Sequence, residues 1–242
     1  DLGKYYALII SNNRYRLLPN LENAENDGNK IAAILSQQYN FEVNHLKNAS
    51  EDQIYNALSI LKKLDKNTNI LIYYSGHGKI DTEANTGYWL PIDAHNDRKS
   101  KWISDEDIKA ELRTFNAKHI LVIADSCFSG TILKREIEQF DTENFIELSM
   151  LSELAKIKTR LAITSGGESP VIDKKGNSEH SVFAKELIQI LKENEDVILA
   201  SQLYKTIKSR LHLNEKQKPQ FDFITDTGSH TGGDFIFLKR KK

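Results

Sequence analysis

Two short glycine-containing segments of this sequence each carry a side chain suited to covalent catalysis. Segment 75–78 (SGHG) contains His77, and segment 125–130 (DSCFSG) contains Cys127, the only cysteine of the chain. A free thiol has a pKa of about 8.5, so it becomes a thiolate near neutral pH only beside a suitable partner. An imidazole can take the thiol proton and later donate it to a leaving amine. The residue types therefore predict Cys127 as nucleophile and His77 as general base.

Each of these segments follows an apolar run that is typical of a buried strand. Residues 69–75 (NILIYYS) precede the histidine, and residues 119–125 (HILVIAD) precede the cysteine. Because the carboxyl ends of parallel strands share one edge of a sheet, His77 and Cys127 can meet there. Taken singly, a cysteine after a buried strand is typical of the core, and a histidine beside glycines is typical of a turn. Their occurrence at two corresponding strand ends favours catalysis.

The glycines beside His77 affect how such a site would stabilise charge. Without a side chain, Gly76 and Gly78 let the backbone approach a reacting group closely. A backbone N–H at that distance can stabilise the oxyanion of a tetrahedral intermediate. We therefore predict that the N–H groups of Gly78 and Cys127 form an oxyanion hole.

The remaining sequence alternates short apolar runs with amphipathic stretches, which is typical of an α/β fold. Further strands are predicted at residues 5–11, 41–46, 161–165, 220–225 and 234–238. Helices are predicted at residues 22–39, 50–64, 104–115, 181–192 and 200–211. The pattern predicts a three-layer α/β/α sandwich with a mainly parallel sheet. The stretch around residues 87–91 is interpreted as loop, and the charged segment 131–158 as a linker between two parts of one sheet.

Composition narrows the classes of partner. The chain has 242 residues, with 33 Lys and Arg against 34 Asp and Glu, so no global field attracts nucleic acid or a membrane. No apolar run approaches the roughly 20 residues that span a bilayer, and residues 1–5 lack a signal-peptide layout. One cysteine cannot form an intrachain disulfide, and a lone cysteine is compatible with a reducing compartment. We expect a cytoplasmic protein without nucleic-acid or membrane partners.

The two catalytic segments carry a resemblance to the caspase-like peptidases, the group of caspases, metacaspases, paracaspases and bacterial orthocaspases. Segment 75–78 resembles the histidine motif of that family, and segment 125–130 is similar to the nucleophile motif of metacaspases and orthocaspases. The separation, 127 − 77 = 50 residues, agrees with the roughly 50 residues known for caspases. Weaker similarity is found at residues 5–11, 23–27, 88–93, 162–168 and 181–184.

The resemblance implies a caspase-like sandwich whose mainly parallel sheet has six strands. It implies one peptidase domain, with a large-subunit-like part at 1–130, a linker at 131–158 and a small-subunit-like part at 159–242. It also implies a cysteine endopeptidase that acts on a protein or peptide substrate, with an activating partner or additional domains as further candidates. One departure is Phe128, because metacaspases usually place His there; this position is not catalytic and affects the rim of the site.

Acidic residues near the two motifs indicate the charge of the substrate. Asp125 lies two residues before Cys127, so both side chains share a face of an extended segment. The Asp125 carboxylate is then either an anchor for nearby backbone or the floor of a pocket for a cationic side chain. By resemblance to metacaspases and paracaspases, Asp27 and Glu168 converge on the same S1 pocket. Asp27 alone is also typical of a helix first turn. The resemblance thus implies cleavage after Arg or Lys.

No cofactor is predicted, and the remaining histidines show no metal-ligand spacing. Calcium, which some metacaspases bind, stays open at two acidic clusters, Asp93 with Asp97 and Asp105 with Asp107. These clusters lack an ordered ligand loop, and helix capping explains Asp105 and Asp107 adequately.

Two other functions stay open at the level of sequence. One is a catalytically silent caspase-fold interaction module, although such proteins typically lose the His or the Cys that this chain retains. The other is a thiol hydrolase or transferase that acts on small molecules, which a closed apolar pocket would favour. An enzyme that prefers basic residues could also cut its own linker, which offers Lys134, Arg135, Lys156 and Lys158.

Overall fold

The structure is a computed structural model that describes residues 2–126, 132–133, 148–166, 179–211 and 218–240. Its strands are β1 (Lys4–Ser11), β2 (Phe41–Lys47), β3 (Thr68–Ser75), β4 (Gly78–Asp81), β5 (Thr86–Trp89), β6 (Ile103–Ser104), β7 (His119–Asp125), β8 (Thr159–Thr164), β9 (Val197–Leu199), β10 (Gln220–Phe223) and β11 (Ile236–Leu238). Its helices are α1 (Ala24–Gln38), α2 (Glu51–Leu61), α3 (Asp105–Thr114), α4 (Leu148–Leu154), α5 (Val182–Glu193) and α6 (Ala200–Leu211).

A six-stranded sheet in the order β10-β8-β7-β3-β1-β2 forms the centre of the molecule. The pairs β1–β2, β1–β3, β3–β7 and β7–β8 are parallel, and β10 runs antiparallel to β8. Every residue of β3 and β7 is buried, as expected of central strands that are covered on both faces. The predicted six-stranded, mainly parallel sheet is therefore confirmed.

Alternate residues of the strands enter two separate cores, because successive side chains of a strand point to opposite faces. Ala7 and Ile9 of β1 pack in the core beneath α1, α5 and α6. Leu8 and Ile10 pack in the other core, with α2 and α3. Capping boxes begin both helices of that second layer, at Ser50 with Gln53 and at Ser104 with Asp107. These layers confirm the predicted sandwich.

The interval that the sequence pattern assigned to loop contains a small antiparallel sheet in the order β4-β5-β6. Gly78 pairs with Trp89, and Tyr88 pairs with Ser104. The prediction of loop was wrong here because the strands have two to four residues, too few to show a periodic apolar pattern.

Two other elements add detail to the sequence interpretation. The last strand, β11, pairs with β9 in a separate two-stranded sheet and does not join the central sheet. Helix α4 lies within the segment interpreted as a linker, of which residues 131 and 134–147 lie outside the described part of the chain. Among the described residues, no helix combines the length and the apolarity that a bilayer crossing needs.

Candidate active site

The register of the two central strands brings the chemically interesting segments to one edge of the sheet. Ser75, the last residue of β3, pairs with Asp125, the last residue of β7. His77 follows Ser75 by two residues and is partly exposed, whereas Ser126 is buried. Cys127, the predicted nucleophile, lies outside the described residues.

The imidazole of His77 is held by a backbone carbonyl group. Its Nε2 atom lies 2.8 Å from the carbonyl oxygen of Pro19. Because a carbonyl oxygen only accepts hydrogen bonds, Nε2 carries the proton in this contact. In the neutral ring Nδ1 is then the nitrogen with a free lone pair. The arrangement suits His77 to take a proton at Nδ1 while the Pro19 carbonyl orients the ring.

Two tyrosine hydroxyls hold the backbone of His77. The N–H of His77 donates to the hydroxyl of Tyr15 at 2.7 Å, and the Tyr15 ring packs on the imidazole with centroids 4.6 Å apart. The hydroxyl of Tyr74 donates to the carbonyl oxygen of His77 at 2.7 Å, and the N–H of Leu90 donates to the same oxygen at 3.0 Å. The position of His77 is thus set by side chains that the sequence interpretation did not identify.

The glycines beside His77 have separate structural settings. A Cβ atom on Gly76 would lie 2.6 Å from the hydroxyl oxygen of Tyr15 and 2.8 Å from that of Tyr74, so no larger residue fits without displacing them. Gly78 begins β4 and is partly exposed. Its proposed contribution to an oxyanion hole stays a prediction.

Two of the three predicted S1 acids converge on one serine. Asp27 in α1 and Asp125 at the end of β7 are 1% and 0% exposed. The hydroxyl of Ser181 donates to Oδ2 of Asp125 at 2.5 Å, and the N–H of Ser181 donates to Oδ2 of Asp27 at 3.2 Å. Nδ1 of His180 donates to Oδ1 of Asp27 at 2.7 Å. Glu168, the third predicted acid, lies outside the described residues.

Burial is the main cause of the pKa shifts of two groups beside these carboxylates. Burial raises the pKa of Tyr73 well above its usual range, and the charges of Asp125 and Asp27 raise it further. Burial lowers the pKa of His180, which donates to Asp27. Buried carboxylates in such a setting favour a cationic ligand over a neutral or anionic one.

Of the residues that contact the predicted site residues, Ser181 lies in a recognisable sequence pattern, whereas Tyr15 and Pro19 do not. Ser181 lies at the start of a predicted helix, where it caps α5 by accepting a hydrogen bond from the N–H of Ala184. Tyr15 and Pro19 belong to the segment between β1 and α1, which has no periodic pattern to single them out.

The acids considered for calcium make local hydrogen bonds. Asp93 accepts from the N–H of Glu51 at 3.0 Å, Asp105 accepts from the N–H of Gly87 at 3.2 Å, and Asp107 forms the α3 capping box. Within the described part of the chain, no three His, Cys, Asp or Glu side chains are grouped so that they could hold a metal ion.

Comparison with known proteins identifies the fold and the family. Residues 4–228 match the family described as the caspase domain. A crystal structure of a protein from Geobacter sulfurreducens is similar, with a TM-score of 0.65 and 20% sequence identity, covering 98% of this chain and 97% of that one. At that identity the likeness concerns the fold alone. A search of curated protein sequences found no significant match to this chain.

Proposed function

The chain belongs to the caspase-domain family, a family of cysteine peptidases, and from that premise we propose that it is an endopeptidase that cleaves after Arg or Lys. In this proposal Cys127 is the nucleophile and His77 is the general base. Asp27 and Asp125, together with Glu168, select the basic P1 residue, which is the residue before the scissile bond. A protein or peptide is the substrate.

The observation that carries the specificity is the convergence of two buried carboxylates on Ser181. Burial strengthens the attraction of Asp27 and Asp125 for a cation, because a low dielectric weakens screening. A guanidinium can also make charge-assisted, bidentate hydrogen bonds to carboxylates. An Asp side chain at P1 would instead meet like charge.

The proposed reaction follows from the tautomer of His77. Nδ1 takes the thiol proton as the sulfur of Cys127 attacks the scissile carbonyl, and the N–H groups of Gly78 and Cys127 stabilise the oxyanion. The tetrahedral intermediate collapses to a thioester, and the imidazolium donates its proton to the leaving amine. His77 then activates a water molecule, which hydrolyses the thioester and restores the thiol. The Pro19 carbonyl oxygen accepts a hydrogen bond from the Nε2–H group throughout.

The family membership also supports a proposed division of the domain. Residues 1–130 would form the large-subunit-like part and 159–242 the small-subunit-like part, joined by the linker at 131–158. Both parts contribute strands to the central sheet, in which β7 pairs with β8. Cleavage within the linker would therefore leave the two parts associated.

A matched peptide series tests this function. Peptides that differ only in Arg, Lys, Leu or Asp at P1 are compared by kcat/KM, with Cys127→Ala as the inactive control. Arg should exceed Asp by roughly 10³-fold, since several kcal/mol of like-charge cost is expected at about tenfold per 1.4 kcal/mol. A preference for Leu or Asp would overturn the specificity. Failure to cleave any peptide, together with no labelling of Cys127 by iodoacetamide, would favour an interaction module instead.

A further inference from the structure

A cavity with a strongly basic lining lies at the edge of the central sheet opposite to His77. Its volume is about 360 Å³, and five cationic side chains line it: Lys66, Arg113, Lys118, Lys156 and Lys158. Lys118 and Lys158 directly precede β7 and β8, and Lys66 lies just before β3. The cavity is therefore formed at the amino ends of adjacent parallel strands, whereas His77 follows the carboxyl end of β3.

Most of this positive charge has no acidic partner within the described residues. Lys156 forms an ion pair with Glu153 at 2.7 Å. Arg113 and Lys118 donate to backbone carbonyl oxygens, those of Asp226 at 3.4 Å and Ala155 at 3.3 Å. Like charges grouped around one concave surface repel each other, and a bound anion would remove that repulsion.

A buried guanidinium adds a further charge beneath the cavity. Arg160 is 0% exposed, and its terminal nitrogens donate to the carbonyl oxygens of Phe115, Ala117 and Lys118 at 2.9–3.2 Å. Its Nε atom has no hydrogen-bond partner among the described residues. Carbonyl oxygens hold the guanidinium in place but do not cancel its charge.

Burial lowers the pKa values of two cations at this edge. Burial lowers the pKa of Arg160 to about 10. Burial also lowers the pKa of Lys158, and the nearby charge of Arg160 lowers it further. A bound anion would relieve these penalties.

We propose that this cavity binds the triphosphate group of a small molecule. A linear triphosphate carries several negative charges in a compact volume, and Arg and Lys are the side chains that recognise phosphate oxygens. A cavity of this size suits a small ligand. The ligand is either inorganic triphosphate or a nucleoside triphosphate.

A neighbouring cavity allows inorganic triphosphate and a nucleoside triphosphate to be distinguished as the ligand. A second cavity of about 220 Å³ shares Lys66 and Lys118 with the first, and its other lining residues are a mixture of polar and apolar ones, with Asn67, Asn69 and His119 as the polar groups. A nucleoside attached to the triphosphate would enter this second cavity. A nucleotide should then bind more tightly than inorganic triphosphate, whereas equal affinity would identify the phosphate chain as the whole ligand.

Isothermal titration of the intact Cys127→Ala protein with sodium triphosphate and with ATP tests the proposal without any dependence on peptidase activity. The double variant Lys118→Gln/Lys158→Gln should weaken binding by roughly 10²-fold, on the order of tenfold for each charge-assisted hydrogen bond that is removed. The matched control Lys30→Gln/Lys185→Gln, which changes exposed lysines of α1 and α5, should bind like the parent protein. Arg113 is exposed, so Arg113→Gln should weaken binding about tenfold without affecting folding.

Two further measurements decide the outcome. Affinity should fall as NaCl is raised, because salt screens charge attraction, and triphosphate should raise the thermal midpoint of the parent protein more than that of the double variant. Equal affinity of the double variant and the control would overturn the proposal. So would binding of duplex DNA or of anionic phospholipid vesicles without any binding of triphosphate.

Discussion

Nε2 of His77 lies 2.8 Å from the carbonyl oxygen of Pro19, which determines the ring nitrogen that is available to accept a proton. The carbonyl oxygen takes the orienting role that a carboxylate has in a Ser-His-Asp triad. The carbonyl oxygen carries only a partial charge. It therefore stabilises a protonated imidazole less strongly than the carboxylate of such a triad does. The main contribution of the contact is therefore to fix the orientation and the tautomer of the ring.

Replacing Tyr15 by Phe tests how far catalysis depends on the backbone position of His77. Tyr15→Phe removes the hydroxyl that accepts the His77 N–H at 2.7 Å. We expect kcat to fall roughly tenfold with KM little changed, because displacement of a base by a fraction of an ångström weakens proton transfer. Steady-state kinetics with an Arg peptide measures both constants.

Tyr5→Phe is the matched control for this prediction. Tyr5 is also buried, but it packs against Phe41 at the start of β1, away from His77. This variant should keep the parent kcat. If both variants lose kcat equally, the effect of Tyr15→Phe comes from general loss of stability.

Adding one methyl group at Gly76 should disturb the same contact between Tyr15 and the backbone of His77. The new Cβ would lie 2.6 Å from the Tyr15 hydroxyl oxygen, so the tyrosine or the chain must shift. We expect Gly76→Ala to lower kcat by about 10- to 100-fold. In the double variant with Tyr15→Phe the shorter contact is removed and only that with the Tyr74 hydroxyl, at 2.8 Å, stays, so the combined loss should be smaller than the product of the two single losses. Multiplicative losses would contradict this account.

The parts of the fold that the sequence predicted are those with long periodic or continuous apolar runs. Residues 69–75 and 119–125 are apolar throughout most of their length because β3 and β7 are covered on both faces. The strands β4 to β6 lack such a run, and their pairing depends on contacts between distant residues, such as the Tyr88 and Trp102 rings 5.3 Å apart. Local pattern cannot reveal that kind of pairing.

The same distinction applies to the candidate site. His77 stood out because its glycine neighbours and preceding strand form a local motif. Tyr15 and Pro19 lie 62 and 58 residues earlier, and only the pairing of β1 with β3 brings their segment beside His77. The contacts of Asp27 and Asp125 with Ser181 likewise join residues more than 50 positions apart.

Self-processing should avoid one of the four basic residues of the linker. The residue after Lys158 is Thr159, which is fully buried at the start of β8 and donates its N–H to the carbonyl of Lys118 at 2.9 Å. Cleavage there would require removal of β8 from the sheet. The Lys156 side chain is 65% exposed, which makes this residue more accessible.

Intact mass spectrometry over prolonged incubation checks this prediction. Fragments ending at Lys134, Arg135 or Lys156 are expected, and none should end at Lys158. Cys127→Ala should stay a single chain, which excludes a contaminating protease. A major fragment ending at Lys158, or a parent protein that stays a single chain as Cys127→Ala does, would contradict the prediction.

His45 should make the folded state sensitive to acid. Its Nε2 lies 2.7 Å from the hydroxyl oxygen of Ser11, and burial lowers the pKa of His45 to about 4. An unfolded histidine has a pKa of about 6.5, so between these values the unfolded state binds more protons. The contribution of His45 to the free energy of unfolding is therefore fully present above the unfolded pKa and is lost as the pH falls towards 4. After a discount for partial exposure, the loss should be about 1–2 kcal/mol.

Urea unfolding at pH 7.5 and pH 4.5 measures this difference. His45→Gln removes the titrating ring while retaining a polar side chain, and every other group titrates as in the parent protein. The parent protein should lose more stability on acidification than His45→Gln. Equal losses would show that His45 does not contribute to acid sensitivity.

The charge of Asp125 can be separated from its hydrogen bond to Ser181 by two variants. In the parent protein the Ser181 hydroxyl lies 2.5 Å from Oδ2 of Asp125. Asp125→Asn removes the charge but keeps an oxygen that can accept this hydrogen bond. If Asp125 selects a cation, this change should lower kcat/KM for Arg peptides by about 10²- to 10³-fold, which corresponds to 3–4 kcal/mol. Labelling of Cys127 by iodoacetamide should keep its rate, because His77 is unchanged.

Ser181→Ala provides the matched control, since it removes the hydroxyl and leaves the carboxylate charge. The same hydroxyl caps α5, so the variant should lose about 1 kcal/mol of stability. Its preference for Arg over Leu at P1 should nevertheless stay close to that of the parent protein. If Asp125→Asn and Ser181→Ala both lower kcat/KM for Arg and Leu peptides to the same extent, Asp125 is an anchor for α5. A selective loss with Arg peptides in Asp125→Asn alone would assign it to recognition of the basic side chain.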